Sequence, residues 1–113
     1  MAEPIFHITT TGEWQAATEA GVYRAAGFEA EGFIHASTAV QVPATAARFY
    51  ADVDDLVLLQ IDPAAVGAEV RWEESHGGDL FPHIYGPLEV AAVVQVHPFG
   101  PEPDGTYRRP AIA

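Results

Sequence analysis

Apolar and polar residues alternate along several short stretches of this chain, and such alternation predicts half-buried strands. One stretch differs, because Leu56 to Ile61 is an almost unbroken apolar run that predicts a central strand covered on both faces. Val-rich residues 88–99 predict a long final strand. The remaining predicted strands and extended segments are residues 4–9, 32–37, 69–73 and 77–88.

The alternating segments share one design, with apolar residues on one face and chemically reactive polar residues on the other. His7, His35 and His83 all fall on polar faces, beside aromatic or aliphatic residues. A plain wet sheet face usually carries mobile charged side chains, so imidazoles among aromatic rings favour the floor of a cleft. The polar faces together contain His7, Thr9, His35, Ser37, Arg71, Glu73, His83 and Tyr85.

Two capping-box pairs predict where helices begin. Thr10 with Glu13 predicts a first helix that ends at Gly21, and Thr38 with Gln41 predicts a second helix.

The length of 113 residues and the apolar content of 49% predict one domain with a substantial core. We place this domain at residues 1–99 and interpret the Pro-rich residues 100–113 as a loosely packed tail. Residues 22–31 show no firm period and predict a turn and loop anchored by Tyr23 and Phe28. Trp72 is expected in the core.

Charge narrows the classes of function. Sixteen acidic residues oppose five arginines, the formal net charge is -11, and there is no lysine, which excludes Schiff-base chemistry and a P-loop lysine. The negative electrostatic field of such a chain opposes binding to the phosphates of a nucleic-acid polymer. No apolar run is long enough to cross a membrane, and we expect a cytoplasmic protein. The absence of cysteine excludes disulfides, thiolate zinc sites and cysteine nucleophiles.

Several familiar kinds of site fit the polar residues poorly. Ser37, a histidine and Glu73 could compose a nucleophile–base–acid triad, but no G-x-S-x-G elbow surrounds Ser37. His35, His83 and Glu73 are ligand types for zinc or iron, yet none lies at a local spacing such as H-x-x-x-H. We therefore expect no metal site.

A repeated H-x-[ST] motif supports an alternative. It occurs at His7-Ile8-Thr9 and at His35-Ala36-Ser37. The repeat looks like the paired motifs of the two-histidine phosphoesterases, in which two imidazoles exchange protons across a phosphodiester. Those proteins are two-lobed and longer, with the motifs further apart, so a phosphodiester-processing enzyme is the second hypothesis.

Three motifs together resemble one family closely. They are GFIHAS at Gly32 to Ser37, RWEES at Arg71 to Ser75, and FPHIYGPL at Phe81 to Leu88. The family is bacterial and known only as domain of unknown function 952, and the resemblance covers Ile5 to Val96. Its fold is similar to that of the ADP-ribosyltransferases, which implies an α+β fold with a small split, mostly antiparallel sheet, short helices and a central cleft for NAD.

The resemblance implies a small domain that binds a nucleotide-type ligand, such as NAD or ADP-ribose, in a histidine-lined cleft. NAD would then be a substrate for glycosyl or ADP-ribosyl transfer or hydrolysis. His35, His83 and Glu73 are the expected catalytic residues, with the two imidazoles positioning the ligand or exchanging protons with it. The expected ligand-binding residues are His7, Thr9, Ser37, Arg71 and Tyr85, with Arg71 holding an anionic group.

One departure from the resemblance concerns the catalytic carboxylate. ADP-ribosyltransferases typically use a Glu on a later strand to stabilise the nicotinamide ribose as its glycosidic bond breaks. Here the matching segment carries His83 and Tyr85, so Glu73 can substitute only if it reaches the same cleft. A third hypothesis, from another class, is a non-catalytic domain whose cleft binds a partner peptide or a metabolite.

Overall fold

The computed structural model describes residues 3–25, 28–74 and 78–108, which form antiparallel sheets and short helices. The α+β class predicted from the sequence is confirmed. The strands are β1 (Ile5–Thr10), β2 (Val22–Tyr23), β3 (Ile34–His35), β4 (Leu56–Ile61), β5 (Glu69–Glu74), β6 (Leu80–Tyr85), β7 (Leu88–Glu89) and β8 (Val93–Phe99). The helices are α1 (Thr11–Ala20), α2 (Phe28–Glu31) and α3 (Val42–Phe49), with 3-10 turns at Pro63–Ala65 and Val90–Ala92.

Helix α1 begins and ends where the sequence predicts. The Thr10 hydroxyl accepts a hydrogen bond from the Glu13 backbone N–H at 3.2 Å, and Gly21 closes the helix with a φ of 83°. The second capping pair also forms, because Thr38 N–H donates to Gln41 Oε1 at 3.0 Å and Gln41 N–H donates to Thr38 Oγ1 at 3.3 Å. It closes a turn ahead of the helix, however, and regular α3 begins at Val42.

Strand β4 is central, as predicted, and pairs with β1 on one side and β8 on the other. Alternation sends Ile5 of β1 into one core cluster and Phe6 into a second. His7 and Thr9, which stand on the predicted polar face of β1, are buried, at 5% and 3% exposure. Because packed side chains cover both faces, the polar residues of β1 must find partners inside the protein.

Residues 34–37 connect two sheets. Strand β3 pairs with β6, with Ile34 opposite Ile84 and His35 opposite His83. Ser37 then bridges to Phe6 of β1 through backbone hydrogen bonds of 2.7 and 2.8 Å. The predicted strand 32–37 is thus divided between two sheets, and regular pairing begins only at residue 34. This crossover brings the histidines of β1, β3 and β6 close together.

Other predicted elements differ because tertiary contacts override local pattern. The predicted strand 88–99 is interrupted by the 3-10 turn at Val90–Ala92, where Asp62 N–H donates to Ala92 O. The predicted loop 22–31 contains β2 and α2, although Tyr23 is buried as expected. Trp72 is 51% exposed rather than in the core, since β5 is the edge strand of its sheet.

The C-terminal segment makes specific contacts as far as the structure describes it. Tyr107 is 8% exposed, and its ring stacks on Phe99 with centroids 5.5 Å apart. Its hydroxyl donates to Tyr50 O at 3.3 Å. The boundary at residue 99 stays a prediction, but the expectation of a loose tail is wrong for Tyr107. No helix in residues 3–25, 28–74 and 78–108 is long and apolar enough to cross a membrane.

Candidate functional site

A cleft of about 960 Å³ opens where β1, residues 34–37 and α3 meet, and we call it the β1 cleft. The β1 cleft is lined by four of the predicted site residues, namely His7, Thr9, His35 and Ser37. Helix α3 contributes Thr45, whose hydroxyl lies 3.3 Å from that of Ser37, and Arg48. The cleft therefore has both polar and aromatic walls, as small-molecule sites usually do.

His7 is held in the wall of the β1 cleft by hydrogen bonds at both ring nitrogens. Its Nδ1 lies 2.5 Å from His35 O, and its Nε2 lies 2.8 Å from Tyr23 Oη, which is itself 2.9 Å from Thr9 Oγ1. Because a carbonyl oxygen only accepts, Nδ1 must carry a hydrogen. Burial lowers the pKa of His7 to about 4, so its ring is neutral at pH 7.

This bonding decides what His7 can do. Neither nitrogen can exchange a proton with a ligand unless the bond to the His35 carbonyl or to Tyr23 is broken. Tyr23 is similarly fixed, and its burial raises the pKa of its hydroxyl well above the ordinary value. The geometry supports a structural role for His7, which ties β1 to residues 34–37. It gives little support to a proton exchange between His7 and His35.

His35 is the histidine that the β1 cleft exposes. Its side chain is 53% exposed, and Nε2 lies 2.8 Å from Glu31 Oε2 at the end of α2. Glu31 also lines the cleft. Since a carboxylate accepts, Nε2 carries a hydrogen, and in the neutral ring Nδ1 keeps its lone pair. The pair resembles the carboxylate–histidine arrangement that orients a general base.

A second group, which we call the His83 cluster, lies behind His35 and comprises Phe33, Arg71, Glu73, His83 and Tyr85. His83 Nδ1 lies 2.8 Å from Glu73 Oε1, and Tyr85 Oη donates to the same oxygen at 2.5 Å. The His35 and His83 rings meet edge to face with centroids 5.2 Å apart. His83 therefore contacts both His35 and Glu73, although of these three residues only His35 lines the β1 cleft.

The hydrogen bonds that join His7, Tyr23 and Thr9 form what we call the His7 network. The His83 cluster carries charge, unlike the His7 network. Hydrogen bonds from Tyr85 and then from His83 hold the pKa of Glu73 below its ordinary value, so Glu73 is a carboxylate at pH 7. The same contact raises the pKa of Tyr85. Arg71 pairs with Glu69 at 2.9 Å and lies over the Tyr85 ring at 4.5 Å from its centroid.

One atom of this cluster has no partner. His83 is 5% exposed, and its Nε2 is buried without a hydrogen bond in the part of the chain that the structure describes. Native proteins pair almost all such atoms, and an unpaired one costs about 1–3 kcal/mol.

The structure divides the predicted residues between two places. His7, Thr9, His35 and Ser37 line the β1 cleft, whereas His83, Glu73, Arg71 and Tyr85 are not part of its lining. His35 belongs to both places, because it borders the cleft and contacts His83. Within the described residues, no group of three His, Cys, Asp or Glu is arranged to hold a metal ion.

Sequence reasoning missed Glu31, Arg48 and the hydroxyl of Tyr23. Glu31 had a detectable signal, because it lies four residues before His35. Tyr23 was expected only as a core anchor, although its hydroxyl links His7 to Thr9. Arg48 carried no pattern of its own, and only the packing of α3 places it at the cleft.

Comparisons with known proteins found one family model and solved structures of one protein. A family model described as "Protein of unknown function (DUF952)" matches residues 8–96. The X-ray structure of protein CC0527 from Caulobacter crescentus is 36% identical, with 93% of each chain covered and a TM-score of 0.84. The solution NMR structure of CC0527 gives a TM-score of 0.80, covering 93% of this chain and 91% of that one. No curated protein matches the chain.

Proposed function

This chain belongs to the DUF952 family, and we propose that it binds a small nucleotide-type ligand, of the class of NAD or ADP-ribose, in the β1 cleft. The observation that carries the proposal is the cleft itself. Its volume of about 960 Å³ suits a ligand of dinucleotide size, since small-molecule pockets measure roughly 300–1,000 Å³. Its walls offer hydroxyl, imidazole and aromatic groups, which suit sugars and flat rings.

Arg48 supports the phosphate part of this ligand. In the described residues, three other arginines lie near a carboxylate, namely Arg24, Arg71 and Arg108. Arg48 forms no such ion pair with a described carboxylate, lines the cleft and stands 5.6 Å from the Phe49 ring centroid. In a chain of net charge -11, an anionic ligand needs a local cation of this kind. The sequence instead predicts that Arg71 holds the anionic group of the ligand.

His35 is the candidate for general acid–base catalysis in the β1 cleft. Its exposed ring and its bond to Glu31 fit a group that accepts a proton from the ligand or positions it. Glu31 is also a carboxylate within the cleft, where transfer or hydrolysis of a glycosyl bond would need negative charge near an oxocarbenium-like ring. Glu73 is engaged by His83 and Tyr85, so its catalytic part stays a prediction.

The finer fold assignment belongs to the same proposal. An ADP-ribosyltransferase-like fold is supported by two small antiparallel sheets that meet at the Phe6–Ser37 bridge, with the cleft at that junction. Such a fold by itself does not establish an activity. NAD as a substrate, rather than as a bound ligand, therefore depends on the chemistry of His35 and Glu31.

Thermal unfolding with a ligand panel tests the proposal. NAD, ADP-ribose, AMP and nicotinamide are added at millimolar concentration to the full chain. A ligand at a hundred times its Kd adds about 2.7 kcal/mol, so we expect a rise in Tm of several degrees with at least one of them. His35→Ala should abolish the rise. His97→Ala is the control, since His97 lies against Gln60 on β4. No rise with any of the four compounds would contradict the proposal.

The outcome of long incubation separates binding from catalysis. We expect NAD to be cleaved slowly in the presence of the chain, and His35→Ala to remove this turnover. A ligand that binds and stays chemically unchanged would favour the non-catalytic hypothesis. Turnover of a cyclic nucleotide, lost in both His7→Ala and His35→Ala, would instead favour a phosphodiester-processing enzyme.

A further inference from the structure

The two ring nitrogens of His83 differ in their hydrogen bonding. Nδ1 lies 2.8 Å from Glu73 Oε1, and Nε2 is buried with no partner in the described residues. The carboxylate of Glu73 can only accept, so Nδ1 carries the hydrogen. In the neutral ring, Nε2 then holds a lone pair. A charged ring would instead bury an unpaired N–H.

The two rings that cover His83 both border the β1 cleft. Phe33 stacks on the imidazole with centroids 4.3 Å apart and planes at 22°, and His35 meets it edge to face. His83 is thus next to two residues that line the cleft, although it is not itself part of the lining.

Phe33 lies one residue before the paired part of the strand. Strand pairing with β6 begins at Ile34, and Phe33 is itself only half-buried. Its ring contacts the rings of His35, His83 and Tyr85, with centroids 4.8, 4.3 and 5.2 Å away. Side-chain contacts therefore hold this ring against His83.

We infer that His83 Nε2 is a concealed subsite of the β1 cleft, uncovered when the Phe33 ring turns aside, and that it accepts a hydrogen bond from an N–H or O–H group of the ligand. This inference rests on the proposed function, since it assigns one contact of the same ligand. It selects against a phosphate or carboxylate oxygen at this position, because such an oxygen brings no hydrogen.

Access to His83 can be measured without any ligand. The chain is treated with diethyl pyrocarbonate, which acylates accessible imidazoles, and each histidine peptide is quantified by mass spectrometry. We expect His35 to react and His83 to be protected in the unaltered chain. Phe33→Ala should raise His83 acylation about ten-fold or more. Phe81→Ala is the matched control, because Phe81 also borders the cleft, whereas in the described part of the chain the rings that contact His83 are those of Phe33 and His35. Continued protection in a folded Phe33→Ala variant would overturn the inference.

Nitrogen NMR of the unaltered chain gives the second measurement and does not depend on the folding of a variant. With 15N-labelled histidine at pH 7, we expect His83 Nε2 to resonate as an unprotonated nitrogen and to shift when ADP-ribose is added. A protonated Nε2, or one that stays unmoved while His35 signals shift, would overturn the inference and leave the proposed function standing. Absence of any shift at His35 would instead count against the proposed function, and against this inference with it.

Discussion

His7 and His83 are equally buried, at 5% exposure each, yet their surroundings differ in every respect that matters for chemistry. Both nitrogens of His7 are bonded, to a backbone carbonyl and to a neutral hydroxyl. His83 has a carboxylate on one nitrogen and, among the described residues, no partner on the other. The comparison teaches that burial alone does not distinguish the two histidines. The partners of the ring nitrogens separate a residue that ties strands together from one that we propose accepts a hydrogen bond from a ligand.

The largest expected effect lies in the His7 network. His7→Ala removes the bonds to the His35 carbonyl and to Tyr23 and leaves a cavity in a packed wall. We expect the free energy of unfolding, measured by urea denaturation, to fall by about 3–4 kcal/mol. His97→Ala, which loses one bond to Gln60, should cost only about 1 kcal/mol. Equal losses in the two variants would mean that the network does not tie β1 to residues 34–37.

The acid dependence of stability comes next in size. Burial lowers the pKa of His7 from 6.5 to about 4 in the folded chain, so between these values the unfolded state binds more protons than the folded state. Stability from this residue is complete above pH 6.5 and is lost as the pH falls toward 4, by on the order of 3 kcal/mol. His7→Gln cannot titrate, and its urea curves at pH 4.5 and 7 should differ less. An unchanged difference would contradict the neutral assignment of His7.

The His83 cluster should respond to acid in a different window. The pKa of Glu73 is lowered in the folded chain, chiefly by the Tyr85 hydroxyl, so its contribution is present above the ordinary carboxyl pKa and lost as the pH falls below it. Glu73→Gln should flatten the stability curve below pH 4.5 and leave the region above it unchanged. Flattening between pH 4.5 and 6.5 would contradict this prediction, because it would put the loss of the Glu73 contribution in the pH range expected for His7.

Local signals in the sequence predict much of this arrangement. The apolar run of β4 and the cap at Thr10 follow from neighbours along the chain, as does the alternation that puts His35 and His83 on polar faces. The pairing of β3 with β6, which brings the two rings together, joins residues far apart in the chain and does not follow from such neighbours.

What failed depends on distant partners. The hydrogen bonds that join His7 and Thr9 to Tyr23 span 16 and 14 residues, and Trp72 is exposed because β5 ends its sheet. Arg48 belongs to the cleft only through the placement of α3. No short-range pattern carries such information, because alternation shows which residues share a face but not what lies against it.

Calorimetric titration of ADP-ribose into paired arginine variants tests the central claim most directly. Arg48 lines the β1 cleft without an ion pair to a described carboxylate, whereas Arg71 lies outside the lining and pairs with Glu69. We predict saturable binding to the unaltered chain, a Kd weakened about ten-fold or more by Arg48→Gln, and a Kd within about two-fold of the original for Arg71→Gln. No binding to the unaltered chain, or a loss confined to Arg71→Gln, would contradict the β1 cleft as the ligand site.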